Sequence, residues 1–210
     1  MNGKVFEIEH TLQPLPFEPS KLIGLSEKLI QSHWENNYGG SVKTLNSVRK
    51  KLGEALSVKD TAPFIIGGLK REHLLRSGSV VLHELYFGNL GGSGKCGASF
   101  QKRLAEDHGS FETWEMEFRK TAQSLGGGSG WVILGYNYHL NTLENYWSWD
   151  HMHMCAGVIP LLVMDMYEHS YQMDYGAAAA KYLDAFFQNI QWEKVEDRFE
   201  RVAKLHFLQK

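Results

Sequence analysis

The sequence predicts an α+β fold: an N-terminal helical hairpin domain over residues 1–90, then a C-terminal three-stranded antiparallel sheet with helices over residues 91–210. Three observations carry this expectation. Two long stretches with apolar residues at helical spacing dominate the first ninety residues. A glycine-rich break, "GNLGGSGKCG", follows them. Three short apolar stretches, two of them flanking a turn, lie between 126 and 164.

A loop marked by "LQPLPFEPS" leads into the first helical stretch, Ser26 to Leu52, where Leu29, Ile30, Trp34, Val42, Leu45 and Val48 keep helical spacing and Ser26 serves as N-cap. The four-residue rhythm sets His33, Asn37 and Ser41 in line with Leu29 and Leu45, so three polar groups occupy a core row. Gly39 and Gly40 each cost about 1 kcal/mol relative to alanine, which predicts a kink there or two separate helices. A second helix is expected from His73 to Phe87, ending in the glycine-rich break, with a domain boundary near Gly91. "TWEMEFRKTAQSL" reads as a third helix. Two strands are expected around a turn at His139 to Asn141, and "VIPLLVM" as a third, more buried strand. "AAAAKYLDAFFQNI" and "EKVEDRFERVAKLHF" close the chain as helices.

With 210 residues and 43% hydrophobic composition, the chain is long and apolar enough for an ordered core. Its formal charge of −2 and pI near 6.6 leave no basic footprint, which argues against nucleic acid or a membrane as partner and for a small ligand. Cys96 and Cys155 are far apart, "MNGKVFEIEH" lacks an apolar signal core, and no apolar run approaches the roughly 18 to 20 residues of a bilayer span. The expectation is a soluble cytoplasmic protein with free thiols.

The chemistry concentrates in "VMDMYEHSYQMDY". Asp165 and His169 stand four residues apart, so they share a face if a helix starts here, with Glu168 between them. Any one of the ten histidines, taken alone, is more often a hydrogen-bonded core residue than a ligand. His33 and His83 differ in lying on the inward rows of two neighbouring long helices, where facing side chains meet. Three imidazoles and one carboxylate suit iron or manganese better than a thiolate site or an all-oxygen calcium site does, and zinc would also bind them.

The order of these elements resembles the iron/manganese superoxide dismutases. Their pattern is a helical histidine, a second helical histidine, a glycine-rich turn ending in tryptophan, and D-x-W-E-H-A-Y. Here the matching features are His33, His83 in "LHELYFGNL", "GSGW" at 128–131 and "DMYEHSYQMDY". "LQPLPF" and "YLDAFFQNIQWE" extend the likeness over nearly the whole chain. D-x-[WY]-E-H in register with the rest is a specific signal, whereas GSGW alone is weak. The resemblance implies one iron or manganese ion per chain, held by His33, His83, Asp165 and His169, with superoxide as the substrate converted to dioxygen and hydrogen peroxide. It also implies a homodimer in which Glu168 reaches the partner's His169, with Tyr171 at the same interface. Tyr86, Phe87 and Trp131 would wall the metal pocket.

The chain also departs from that family. Ser41 stands where a channel tyrosine is usual, Asn37 where a channel histidine is usual, and Tyr167 replaces the tryptophan of D-x-W-E-H. The glutamine or histidine that hydrogen-bonds the metal's solvent has no evident counterpart, since position 79 is serine and "WSWDHMHM" fills the other usual place. Trp149, His151 and His153 are the possible substitutes, and in an extended strand all three share a face. Such changes leave metal binding intact but bear on rate and redox potential. The alternative readings are a metal-binding relative with weak or no dismutase activity, another oxidoreductase, or a metal-free scaffold.

Overall fold

In this computed structural model, which describes residues 4–206, the first long helix opens at the cap the sequence marks. The Ser26 hydroxyl accepts the Leu29 N–H at 3.1 Å and starts α1 (Glu27–Ser32). Asp174 braces the same end, its two carboxylate oxygens each taking one hydrogen bond from Ser26, from the backbone N–H and the hydroxyl, both at 2.7 Å. The chain then widens into a π-helical stretch, His33–Tyr38, before continuing as α2 (Gly39–Ser57). The irregularity therefore precedes the two glycines rather than sitting on them. Trp34 donates to the Gln13 carbonyl at 2.9 Å and Tyr38 to Glu84 at 2.8 Å, ties that hold the wide turn from outside the helix. Wide turns of this kind frequently mark functional positions.

The second helix, α3 (Pro63–Gly88), starts ten residues before the expected His73. Pro63 suits a first turn because it lacks only an N–H that would have no partner there. No apolar stripe announces the early part, because Gly67 and Gly68 face open space and Phe64 is exposed. Ser41 near the start of α2 meets Ser79 near the end of α3 at 2.8 Å, so the two helices run antiparallel as a hairpin.

Beyond the glycine-rich segment lies a helix the sequence does not predict, α4 (Ala98–His108), which buries only Phe100 and Leu104, too sparse a pattern to be read from sequence. Next comes α5 (Phe111–Gln123), capped by Ser110, whose hydroxyl accepts the Thr113 N–H at 3.0 Å. The sheet has the order β2-β1-β3 with both pairings antiparallel, from β1 (Trp131–Asn137), β2 (Thr142–Ser148) and β3 (Val158–Asp165). A register shift at Leu134/Gly135 needs the glycine, because a Cβ there would stand 2.3 Å from Val158 Cγ1. The register sets Trp131, first in β1, opposite Asp165, last in β3. Short α6 (Gln172–Tyr175) and then α7 (Ala179–Gln188) and α8 (Trp192–His206) complete the chain. Phe207, expected at the end of the last helix, lies outside the described residues.

One continuous apolar cluster runs from Leu29 on α1 through β1 and β3 to Phe186 and Trp192. Among the described residues, no helix is long and apolar enough to cross a membrane.

Candidate metal centre

Asp165 is fully buried, and it ends a strand rather than starting a helix. Its main-chain oxygen accepts hydrogen bonds from Ser170 Oγ at 2.9 Å and Tyr182 Oη at 2.8 Å, while its Oδ1 accepts the Tyr167 N–H at 2.8 Å. These bonds fold the next residues into a tight turn containing one 3-10 turn, Glu168–Ser170. The turn brings His169 Nε2 to 3.3 Å from Asp165 Oδ2. The four-residue spacing thus converges as expected, but through a capped turn and not through a shared helix face.

From the N-terminal helices, His33 at the head of the π-helical stretch places Nε2 3.1 Å from the same Oδ2, and His83 on α3 places its Nε2 at 3.7 Å. The four donor atoms all lie within 4.8 Å of one another. His33 and His83 are buried, and His169 forms the more open side. Both nitrogens of His33 and Nε2 of His83 lack hydrogen-bond partners among the described residues. Leaving such a group buried and unpaired costs roughly 1–3 kcal/mol, so three imidazole edges aimed at one carboxylate oxygen call for a cation among them. The spacing fits a first-row ion with ligands at about 2.0–2.2 Å, and the donor set fits iron or manganese.

The electrostatics prepare the ligand forms. Burial pushes the His33 pKa down, with Asp165 opposing in part, and burial together with His33 pushes His83 down to about 3. Both imidazoles are therefore neutral. His83 Nδ1 lies 2.7 Å from the Ser79 carbonyl, which can only accept, so the proton sits on Nδ1 and Nε2 is left free as a donor atom to metal. Burial alone would raise the Asp165 pKa, but His169 and His33 outweigh it and hold the carboxylate well below its usual range.

The metal-free protein is accordingly expected to lose stability as the pH falls. Below the ordinary histidine pKa of 6.5 the unfolded chain binds protons at residues 33 and 83 that the folded chain refuses until about pH 3 at His83, so stability rises with pH across that window. Asp165 adds the same sign below 3.8. Thermal unfolding of metal-free protein at pH of about 7.5, 6 and 5 checks this. A melting temperature that does not fall would mean these imidazoles are not buried in the neutral form.

Aromatic rings enclose the cluster. Phe87 and Tyr86 lie 5.0 and 5.2 Å from the His33 ring, and Trp131 lies 5.1 Å from His83. Tyr167 stacks on His169 at 5.3 Å and on His151 at 4.9 Å. His151 in turn accepts the Trp131 indole N–H on Nδ1 at 3.0 Å, and burial lowers its pKa. The three expected donor substitutes therefore separate. Trp149 is exposed and donates outward to His153 Nε2 at 2.7 Å, and His153 pairs with Asp150 at 2.7 Å. They share no face with His151 because the segment turns after β2: Ser148 Oγ donates to the Asp150 carbonyl, and Asp150 accepts the Met152 N–H. Gly78 on α3 makes room for this loop, since a Cβ there would stand 1.8 Å from the His151 carbonyl oxygen.

A polar pocket of about 300 Å³ opens from the surface onto His83 and His169, with Asn37, Ser41, Ser79 and His151 on its walls. Sequence reading had no signal for three further participants. Tyr38 stacks on His83 at 6.2 Å, Tyr182 reaches the Asp165 carbonyl from α7, and Arg76 stands in the pocket wall. Each depends on how separate elements cross. Glu168, expected at a two-fold interface, is exposed. Tyr171 is buried within its own chain, stacked on Tyr182 at 5.3 Å, with its hydroxyl accepting the Gly127 N–H at 3.4 Å.

Residues 96–198 match the family model described as iron/manganese superoxide dismutases, C-terminal domain. Over the chain as a whole, similarity extends to "Superoxide dismutase [Fe]" of Cupriavidus metallidurans, 50% identical across 93% of this chain and 98% of that protein. "Superoxide dismutase [Fe]" of Aquifex pyrophilus is 35% identical over 94% and 95%. "Superoxide dismutase [Mn] 1" of Halobacterium salinarum is 32% identical over 93% and 98%.

Proposed function

Since this chain belongs to the iron/manganese superoxide dismutases, we propose that His33, His83, Asp165 and His169 hold its single metal ion and that His151 supplies the donor beside it. The protein is an enzyme that converts superoxide to dioxygen and hydrogen peroxide, with iron or manganese as cofactor. The observation that carries the residue assignment is the convergence of three imidazole Nε2 atoms, two of them buried and without a hydrogen-bond partner among the described residues, on one buried carboxylate oxygen. When bound, the ion supplies a reversible one-electron couple, so that one superoxide is oxidised to dioxygen and a second, with two protons, is reduced to hydrogen peroxide.

The chain's own residues do the rest. Asp165 contributes one negative charge against three neutral ligands, which leaves net positive charge at the centre to attract a small anion. The Tyr167 N–H and the bonds from Ser170 and Tyr182 fix the carboxylate and its strand end. An indole N–H can only donate, so His151 Nδ1 must be the acceptor and its proton resides on Nε2, available to hold or deliver at the pocket. Phe87, Tyr86, Trp131 and Tyr167 exclude bulk water. Each half of the chain gives two ligands, His33 and His83 from residues 1–90 and Asp165 and His169 from residues 91–210.

Metal analysis and superoxide consumption, measured on metal-free, iron-loaded and manganese-loaded protein, test this reading. Activity that appears on loading with one ion per chain is expected. Tight metal retention without superoxide consumption would favour the binding-only alternative instead.

A homodimer is part of the proposal. Glu168 presents an exposed carboxylate next to ligand His169, and Tyr171 supports that turn from inside. Light scattering is expected to give twice the chain mass at micromolar concentration, and Glu168→Ala to weaken assembly. A monomeric parent, or a variant unchanged in assembly and metal content, would overturn it. The two unpaired cysteines, Cys96 and Cys155, agree with a reducing cytoplasm.

A further inference from the structure

Among the described residues, ten line the pocket that leads to His83 and His169; Arg76 is the single formally charged side chain of these ten, and none of them is a carboxylate. Arg76, Ser79 and His83 follow one another along α3 at helical spacing, a row running from a partly exposed guanidinium to the buried imidazole of the proposed metal site. The Arg76 guanidinium is held only loosely. Its Nε lies 3.5 Å from Glu72, a carboxylate also approached by Arg71 at 3.4 Å, and that buried Nε has no hydrogen-bond partner among the described residues. The other walls, from Asn37, Ser41 and Ser79, offer neutral amide and hydroxyl groups. At about 300 Å³ the pocket holds several times the roughly 30 Å³ of one water, enough for a two- or three-atom anion with its hydration.

A chain of net charge −2 does not draw an anion toward itself at long range, and physiological salt screens fields beyond about 8 Å. Capture must therefore depend on a local cation. We propose that Arg76 receives small monoanions at the mouth of this pocket, superoxide among them, and passes them to the metal side of His83 and His169. The inference rests on the dismutase site described above and assigns its entrance.

The test uses iron-loaded protein and azide, a small monoanion that does not turn over. Arg76→Gln, Arg76→Lys and Arg71→Gln are compared with the parent for iron content, azide dissociation constant by absorption titration, and kcat/KM for superoxide at low and physiological ionic strength. Arg76→Gln is expected to keep its iron, weaken azide on the order of 3- to 10-fold, lower kcat/KM similarly and flatten its salt dependence. Arg76→Lys restores most of the loss. Arg71→Gln removes the same charge outside the pocket and leaves both quantities unchanged. Wild-type azide affinity and salt dependence in Arg76→Gln would overturn the proposal, as would an equal effect from Arg71→Gln. If the parent itself retains no iron or consumes no superoxide, the underlying site reading fails, an outcome visible before any variant is compared.

Discussion

Asp165→Ala is expected to abolish metal retention and with it dismutation. The carboxylate is the common point of three imidazoles, and the only negative charge in the cluster. Without it, a divalent or trivalent ion would sit in a buried cavity with neutral ligands alone, an arrangement that desolvation strongly disfavours. Because Asp165 Oδ1 also accepts the Tyr167 N–H, the alanine variant loses a structural bond as well. Asp165→Asn keeps an acceptor there while removing the charge, so a metal-free but folded asparagine variant separates ligation from folding. His33→Ala, His83→Ala and His169→Ala are expected to lower metal content and melting temperature together. A ligand present at a thousand times its dissociation constant stabilises the folded state by about 4 kcal/mol, and that increment disappears with the site. His73→Ala, outside the cluster, should change neither quantity. Full metal occupancy in any one of the four variants would remove that residue from the ligand set.

The second large effect is expected at His151. His151→Ala should retain the ion yet lose roughly 10- to 100-fold in superoxide consumption, the usual consequence of removing a group that hydrogen-bonds beside a metal. Its orientation has two supports that can be attacked independently. Trp131→Phe removes the N–H that fixes the His151 tautomer, and Gly78→Ala puts a methyl group 1.8 Å from the His151 carbonyl, so the loop must shift. Overpacking of that kind costs about 1–3 kcal/mol, so Gly78→Ala should lower both the melting temperature and the rate. Trp149→Phe and His153→Ala, whose side chains bond each other at the surface, should leave the rate alone. Undiminished activity in His151→Ala would send the proton supply elsewhere, with the Ser41–Ser79 pair next to His83 the first place to look.

The sequence by itself determined the order of most elements and pointed to the residues of the proposed ligand set. Periodicity marked the Ser26-capped helix and most of α3, the turn at His139 to Asn141 between two short stretches marked the β1–β2 hairpin, and "VIPLLVM" marked β3, because each pattern is set by local geometry. The helical rows of His33 and His83 and the Asp165–His169 spacing were legible for the same reason. Where local signals were thin, reading failed. α4 buries two residues, the first turns of α3 face solvent, and the helix irregularity fell upstream of the glycines because Gln13 and Glu84, distant in sequence, hold it.

What surrounds the ligands was decided only in three dimensions. Three donors were equivalent on the assumption of an extended strand; a turn after β2 sent Trp149 and His153 to the surface and His151 against Trp131. Tyr182 and Arg76 reach the site from α7 and α3 by the way those elements cross β3 and the pocket. A ligand's own helix or strand fixes its direction, so its type and spacing are written locally. Its neighbours are fixed by contacts between elements far apart in the chain, and those distances exist only once the core has closed.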